Sequence, residues 1–252
     1  MNGRPDREGS ERLQTTTLWY APSQQRARGV AGLPGYEGRT PAYVVWNLIE
    51  RYTRPGDLVV DPFCGGGTTL DVARELGREA RGFDLQAQRE DIETADARSL
   101  PLADESCDFV FMDPPYSTHL QYSDDARCLG KLDAHEDDAY FAAMDAVFAE
   151  TDRVLRDRRY LAVLVGDSFK KKRGFVGIGA RLFAQLEQRF RAIDHVAVVR
   201  GNRKLESPRF HSAAEEGNFF LRGFNHLLIF KKERPEPPAR PEPKRRRGRD
   251  AK

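Results

Sequence analysis

The chain reads as an α/β protein, a mostly parallel β-sheet with helices covering both faces. Three observations predict this class. Short apolar runs alternate with amphipathic helical stretches along most of the 252 residues, the order produced when helices cross over between parallel strands. Within residues 58–76 a glycine-rich loop joins an apolar strand to a helix, which is how a nucleotide-binding sheet begins. Further on, the run Phe109-Val110-Phe111-Met112 stops abruptly in Asp113-Pro114-Pro115-Tyr116. Neither proline can donate to a strand ladder, so the strand ends there.

Composition frames the organisation. With 39% hydrophobic and 32% charged residues, the chain predicts one globular domain over residues 18–232. A polar, disordered tail at 1–17 precedes it and a basic tail at 233–252, rich in proline and arginine, follows. The net charge is +2, yet residues 235–252 hold seven Lys/Arg and three Asp/Glu, or +4, leaving −2 for the rest. That tail either touches phosphates without specificity or simply solubilises the chain. No apolar run approaches the ~18 residues that span a bilayer, and residues 1–17 lack the apolar stretch of a signal peptide. No membrane contact is expected. Cys64, Cys107 and Cys128 form no CxxC pair, which predicts a reducing, cytoplasmic setting rather than a disulfide frame. The five histidines show no HExxH spacing, so no metal is expected.

Taken in order, residues 18–22 open the folded part, and the glycine and proline content of 29–41 predicts an extended, irregular segment. Val44, Val45, Leu48 and Ile49 recur at helical spacing and predict a helix over 41–52. Pro55-Gly56 turns the chain into a buried strand at 58–61, and the helix after the glycine loop runs through about Leu76. Strands follow at 80–85, 92–97 and 109–112. Residues 133–156 predict a long helix with Phe141, Met144, Phe148, Thr151 and Leu155 on one core-facing stripe. A strand at 160–165, a helix at 177–190 and strands at 195–199 and 227–230 complete the pattern. Residues 201–225 are expected to form a long loop, longer than connections usually are.

The glycine loop, Asp61-Pro62-Phe63-Cys64-Gly65-Gly66-Gly67-Thr68-Thr69-Leu70, carries the first site argument. Glycines such as Gly65 and Gly67 let backbone approach a ligand closely, and a helix starting at Thr68 presents unpaired amide donors. No lysine follows the glycines and the spacing is not GxGxxG, so neither a Walker loop nor a dinucleotide site is indicated. Asp61 at the strand end would repel a pyrophosphate and hold an ammonium. Asp84 and Asp96 close the next two strands. Asp84 is placed to accept from ribose hydroxyls, and Asp96 from an adenine amino group. Each acid alone is more often a helix cap or a solvated loop residue, but three successive strand-end acids beside a glycine loop are harder to dismiss. A ligand with adenosine at one end and a cationic amino acid at the other suits them, which is S-adenosylmethionine.

Asp-Pro-Phe-Cys-Gly-Gly-Gly-Thr-Thr at 61–69 together with Asp-Pro-Pro-Tyr at 113–116 resembles the amino-methylating DNA methyltransferases, which modify adenine N6 or cytosine N4. The resemblance covers roughly residues 19–232. It implies a Rossmann-like sheet of seven strands with one antiparallel member, and a cofactor site holding Asp61, Phe63, Gly65, Gly67, Thr68, Asp84 and Asp96. The segment 36–53 is similar to the piece that closes over the methionine moiety in that family, which adds Pro41 to the cofactor contacts. The family usually has serine where this chain has Gly66. Many members also carry a separate target-recognition domain, for which the residues after the catalytic motif leave no room.

The resemblance assigns catalysis to Asp113, Pro114, Pro115 and Tyr116. A base amino nitrogen is a poor nucleophile because its lone pair is delocalised into the ring. The Asp113 carboxylate and the Pro114 carbonyl accept its two N–H bonds and localise that pair, while Tyr116 stacks on the base. Catalysis is then mostly positioning and electrostatics, on a base that leaves the duplex stack at a cost of about a few kcal/mol. Residues 117–132 are expected to close over that base, with Gln121 and Tyr122 as contacts. Lys170, Lys171, Lys172 and Arg173 follow a strand on the active face as a candidate phosphate clamp, or as a merely solvated charge run. The 201–225 stretch adds Arg203, Lys204, Arg209, Phe210, His211, Phe219 and Phe220, a mixture suited to bases and phosphates or to a packed flap. DNA is the expected partner, adenine the favoured base from Asp113, with a restriction-modification setting beside the nucleoid of a bacterium or archaeon and a nuclease or specificity partner left open. An RNA amino methyltransferase acting on guanine or adenine shares both motifs. A non-catalytic methyltransferase-fold subunit or a protein-glutamine enzyme, where Asn is more usual at position 113, accounts less well for them.

Overall fold

A computed structural model of the chain describes residues 13–20, 25–26, 29–36, 38–116, 123–136, 138–199 and 203–234. In chain order, β1 is Leu18–Tyr20, β2 Gln25–Arg26, β3 Gly29–Val30, α1 Ala42–Tyr52, β4 Leu58–Asp61, α2 Thr68–Glu75, β5 Glu79–Asp84, β6 Ile92–Thr94 and β7 Cys107–Met112. A 3-10 turn at Leu129–Lys131 leads into α3 Ala139–Val154, β8 Leu155–Val165, β9 Ser168–Lys170, β10 Gly174–Val176, α4 Ile178–Leu186, β11 Arg191–Val199, α5 Arg203–Glu206, α6 Pro208–Glu216 and β12 Phe224–Lys231.

The central sheet runs β1-β11-β12-β8-β7-β4-β5-β6. Every pairing is parallel except those of β12, which lies antiparallel to both β11 and β8. The mostly parallel sheet with one antiparallel strand is as expected, but its strand number is eight rather than seven. The additional strand is β1, where Leu18, Trp19 and Tyr20 pair with Ala197, Val198 and Val199. Three residues with a single buried side chain, Trp19, carry too little alternation to announce a strand. Chain contacts begin before it: the Gln14 N–H donates to Asn47 Oδ1 at 2.7 Å on α1.

Alternation along the strands sorts the core onto two faces. Phe109 and Phe111 point into a layer with Val44, Leu48 and Ile49 of α1 and with Trp19. Their neighbours Val110 and Met112 point the other way, against Tyr140, Met144 and Phe148 of α3 and Leu182 of α4. These four β7 side chains are fully buried, and at about 1.5–3 kcal/mol for each large apolar side chain this strand anchors both layers. The motif after it is therefore held on a rigid support.

Several expected boundaries move; α4 ends at Leu186 rather than 190, and β11 starts at Arg191 rather than 195. The helix read over 133–156 starts only at Ala139, because Asp133 is committed elsewhere: its carboxylate accepts from the His135 N–H at 3.0 Å and from Lys170 Nζ at 2.5 Å. At its far end Leu155 leaves the helix with ψ 131° and becomes the first residue of β8, which runs eleven residues through a left-handed Arg158 (φ +63°). The long loop read over 201–225 contains α5 and α6 instead. Pro208 at the first turn of α6, after Ser207, is a helix-start signal that the loop reading passed over.

Candidate active site

The strand order turns back on itself at β4: the chain proceeds outward through β5 and β6, then returns to lay β7 on the other side. Ligand clefts form at such a reversal, outside the carboxyl ends of the strands. Here Val59 and Val60 pair with Phe109 and Val110, so Asp61, which ends β4, and Asp113, which follows β7, face the same crevice. A cleft of about 800 Å3, open to solvent, lies there. Among its walls are Asp61, Phe63, Gly65, Thr68, Asp84, Asp96, Asp113 and Pro115 of the residues expected from sequence. Pro41, Gly67, Pro114 and Tyr116 lie outside its lining. Pro41 occupies the N-cap position of α1, and Tyr116 is half-buried against the layer containing α3.

The glycine loop is shaped by contacts on both sides. Gly67 caps α2 in a left-handed conformation (φ +82°), and a Cβ there would lie 2.4 Å from Arg89 Nη1. Gly65 (φ +47°) leaves room for Tyr36, whose hydroxyl oxygen would be 2.8 Å from a Cβ at that position. The residues before α1 cross this loop as a strap. Leu33 N–H donates to the Gly66 carbonyl at 2.7 Å, Gly32 N–H to Asp71 Oδ2 at 2.8 Å, and Thr40 Oγ1 to Asp113 Oδ2 at 2.8 Å. Arg89 locks the underside through ion pairs with Asp71 and Asp91, both at 2.8 Å.

Each acid is held differently. Asp61 is buried, accepting from Phe63 N–H at 2.9 Å and Thr69 Oγ1 at 2.5 Å. Burial pushes its carboxyl up to about 7; the two hydrogen bonds oppose that shift and the charge of Asp84 adds to it. Asp84 Oδ2 accepts from Gly65 N–H and Oδ1 from Gln86 N–H, at 2.9 and 3.0 Å. It too is raised by burial, against those backbone bonds. Asp96 sits beyond the end of β6, which is shorter than the strand read over 92–97. Its carboxylate is clasped by Arg98 at 2.7 Å, which lowers its pKa. Tyr36 lies among these groups: burial first, then Asp84, Cys64, Asp113 and Asp61, push its hydroxyl up to about 12.

Sequence reading expected segments 36–53 and 117–132 over the site but did not single out Tyr36, Arg39 and Thr40 as walls of the cleft, or Ser123, Cys128 and Leu129 on its far side. The resemblance placed segment 36–53 near the methionine moiety without giving Tyr36, Arg39 or Thr40 a role; only the fold brings residue 40 to residue 113. Gln121 and Tyr122 lie outside the described residues, as do the side chains of Arg203 and Lys204. The cationic run is only partly available: Lys170 pairs with Asp133 and Arg173 with Glu136, at 2.5 and 2.8 Å. Lys171 and Lys172 are exposed. All three cysteines are buried with free thiols. No helix among the described residues is long and apolar enough to cross a membrane.

Comparison with known proteins agrees with this geometry. Residues 4–95, which hold the strap, the glycine loop and Asp84, match the model of a family described as DNA methylase. Over that stretch the chain is similar to the amino-methylating DNA methyltransferases. It is 34% identical over 62 residues to the type II methyltransferase M.MjaII of Methanocaldococcus jannaschii, a stretch covering 25% of this chain and 12% of that one. To the type II methyltransferase M2.DpnII of Streptococcus pneumoniae it is 32% identical over 82 residues, covering 32% of this chain and 30% of the relative. These likenesses thus span less than a third of the relatives' length. Asp113 lies beyond the family match. Among solved structures, the MccD protein superposes with a TM-score of 0.51 at 12% identity, covering 77% of this chain and 98% of that one, a likeness of fold alone.

Proposed function

We propose that this protein transfers a methyl group from S-adenosylmethionine to an exocyclic amino group of a base in DNA, with adenine N6 as the favoured position. The observation that carries the reading is the placement of Asp113, braced by Thr40 at 2.8 Å, in one cleft with the glycine loop, Asp61 and Asp84. The residues present fit the cofactor. Asp61, Asp84, Asp96 and Asp113 line the cleft, where Arg39 is the one cationic lining side chain among the described residues and Arg98 pairs with Asp96, a charge balance that still suits a cation and disfavours a phosphate. Asp61 would hold the ammonium of the amino-acid end, Asp84 the ribose hydroxyls, and Asp96 the adenine amino group, with Tyr36 and Phe63 against the remainder. When bound, S-adenosylmethionine supplies an electrophilic methyl group.

The rest falls to this chain's own residues. Thr40 donates to one Asp113 oxygen, which helps to orient the carboxylate that accepts an N–H of the target amino group. The Pro114 carbonyl accepts the second N–H. Together they localise the nitrogen lone pair, and Asp113 takes up the proton released as the new C–N bond forms, directly or through water. Preorganised acceptors of this kind lower the barrier without reorganising during the reaction. Adenine is favoured over cytosine because cytosine enzymes of this family more often have serine where this chain has Asp113. An RNA target is the second reading, since RNA amino methyltransferases share both motifs. Transfer of labelled methyl from S-adenosylmethionine to DNA, against RNA of the same base sequence, tests the proposal: label in DNA supports it, and label confined to RNA overturns it.

A further inference from the structure

The sheet carries a second group of exposed side chains on the same edge as Asp113. Met112 of β7 pairs with Val163 of β8, and Val165 of β8 pairs with His226 of β12. The end of β7, the end of β8 and the start of β12 therefore share one edge, with β12 about 10 Å from β7 at two strand spacings. Two structures leave the sheet there. One is the hairpin of β9 and β10, where Gly174, Phe175 and Val176 pair with Lys170, Phe169 and Ser168. The other is the segment between α6 and β12, residues 217–223.

These two pieces are joined through their side chains. Phe169 of the hairpin stacks on Phe219, ring centroids 5.1 Å apart and planes within 15°. Arg222 places its guanidinium 5.1 Å from the ring centroid of Phe175. The hairpin is also tied to the residues preceding α3: His135 Nε2 lies 2.9 Å from Ser168 Oγ, and Lys170 pairs with Asp133 at 2.5 Å. On this braced base the outermost groups are apolar and cationic. Phe220 is 87% exposed and Phe175 56%, and Lys171 and Lys172 project from the turn between β9 and β10 without an ion pair among the described residues.

We propose that the β9–β10 hairpin and residues 217–223 form one platform that grips a locally unstacked stretch of the DNA substrate beside the catalytic loop. This rests on the DNA-methylation reading above. Exposed phenylalanine rings are costly in water and offer stacking faces to unpaired bases, while the lysines and the guanidinium match the phosphates between those bases. Charge complementarity selects a polyanion over an apolar protein partner, and the aromatic faces select unstacked bases over an intact duplex. A base that has left the helix, together with its disturbed neighbours, is such a stretch.

The test is binding of the full chain, by fluorescence anisotropy, to three labelled DNAs of one sequence: duplex, duplex with a central abasic gap, and single strand. The wild-type protein should prefer the gapped duplex and the single strand over the intact duplex. Phe220→Ala and Phe175→Ala should each weaken those two by roughly 5- to 100-fold, the range for one lost base stack, with little change for intact duplex. Lys171→Ala combined with Lys172→Ala should flatten the single-strand salt dependence by about 1.4 in the log–log slope. Thermal melting of each variant at the wild-type temperature separates these effects from unfolding. If the variants bind all three DNAs as the wild type does, the platform is wrong. Measuring methyl transfer by the wild type to DNA and to RNA in parallel keeps the two claims apart, because transfer to DNA with unchanged variant binding sinks the platform alone, whereas transfer confined to RNA sinks the reading beneath it.

Discussion

Thr40 Oγ1 donates to Asp113 Oδ2 at 2.8 Å, across 73 positions of sequence. One end of this bond belongs to the strap over the glycine loop and the other to the loop after β7, so the two halves of the cleft are joined through the side chain proposed to accept from the target base. A hydrogen bond to a charged group contributes about 1.5–3 kcal/mol. Thr40→Val, which keeps the shape and removes the donor, should lower the methyl-transfer rate at saturating substrates by roughly 10- to 100-fold, with little change in cofactor affinity. Thr40→Ser should restore most of it. A rate unchanged by Thr40→Val would mean that Asp113 is oriented by other partners.

Asp61 links the site to pH. Its carboxyl is raised by burial from the ordinary range to about 7. Between about pH 4 and about pH 7 the folded protein therefore retains a proton that the unfolded chain releases, so this group makes the ligand-free protein less stable as pH rises across that window. Thermal melts of wild type and Asp61→Asn, compared as a difference so that other titrating groups cancel, should converge at low pH. The wild type should lose ground relative to the variant as pH approaches 7. A pH-independent difference would contradict the assignment.

The same carboxyl affects cofactor binding. An ammonium placed beside Asp61 favours its ionised form, so wild-type binding near pH 6.5 should release a proton, and affinity should rise as pH climbs through about 7. Calorimetry in two buffers of different ionisation enthalpy measures this. Asp61→Asn should bind more weakly and without the buffer dependence; a buffer-independent wild type would place the ammonium elsewhere.

Gly82 tests the packing beneath the glycine loop. A Cβ there would lie 2.3 Å from Cys64 Sγ and 2.6 Å from Leu70 Cδ1, and both of those side chains are buried. Overpacking at such a position costs about 1–3 kcal/mol. Gly82→Ala should lower the melting temperature by several degrees, at about 2–4 °C per kcal/mol for a domain of this size, and weaken cofactor binding by displacing the Cys64-Gly65 backbone. Cys64→Ala in the same background should recover part of the loss.

Much of this architecture is legible in sequence because strand ends at the cleft are marked chemically. Asp61-Pro62 and Asp113-Pro114-Pro115 stop their strands and carry the acids in one stroke, and the glycine run announces its helix. The strap was less visible: Tyr36 and Thr40 make contacts decided by topology, and nothing in their neighbours names a partner 29 or 73 residues away. The helix expected from residue 133 fails to start there because Asp133 is drawn to Lys170 across 37 positions, a tertiary contact that overrides local propensity. Arg98 clasping Asp96 is the opposite case, a pairing between near neighbours that the reading of Asp96 as an isolated strand-end acid overlooked.

The most direct measurement of the central claim is the identity of the methylated nucleoside. Purified protein would be incubated with labelled S-adenosylmethionine and matched DNA and RNA, and the products digested to nucleosides and resolved by mass, with Asp113→Ala in parallel. Labelled N6-methyladenine is expected from DNA, absent or reduced by several orders of magnitude in Asp113→Ala while cofactor binding persists. N4-methylcytosine would keep the mechanism and correct the base. Label confined to RNA, or equal transfer by Asp113→Ala, would contradict it.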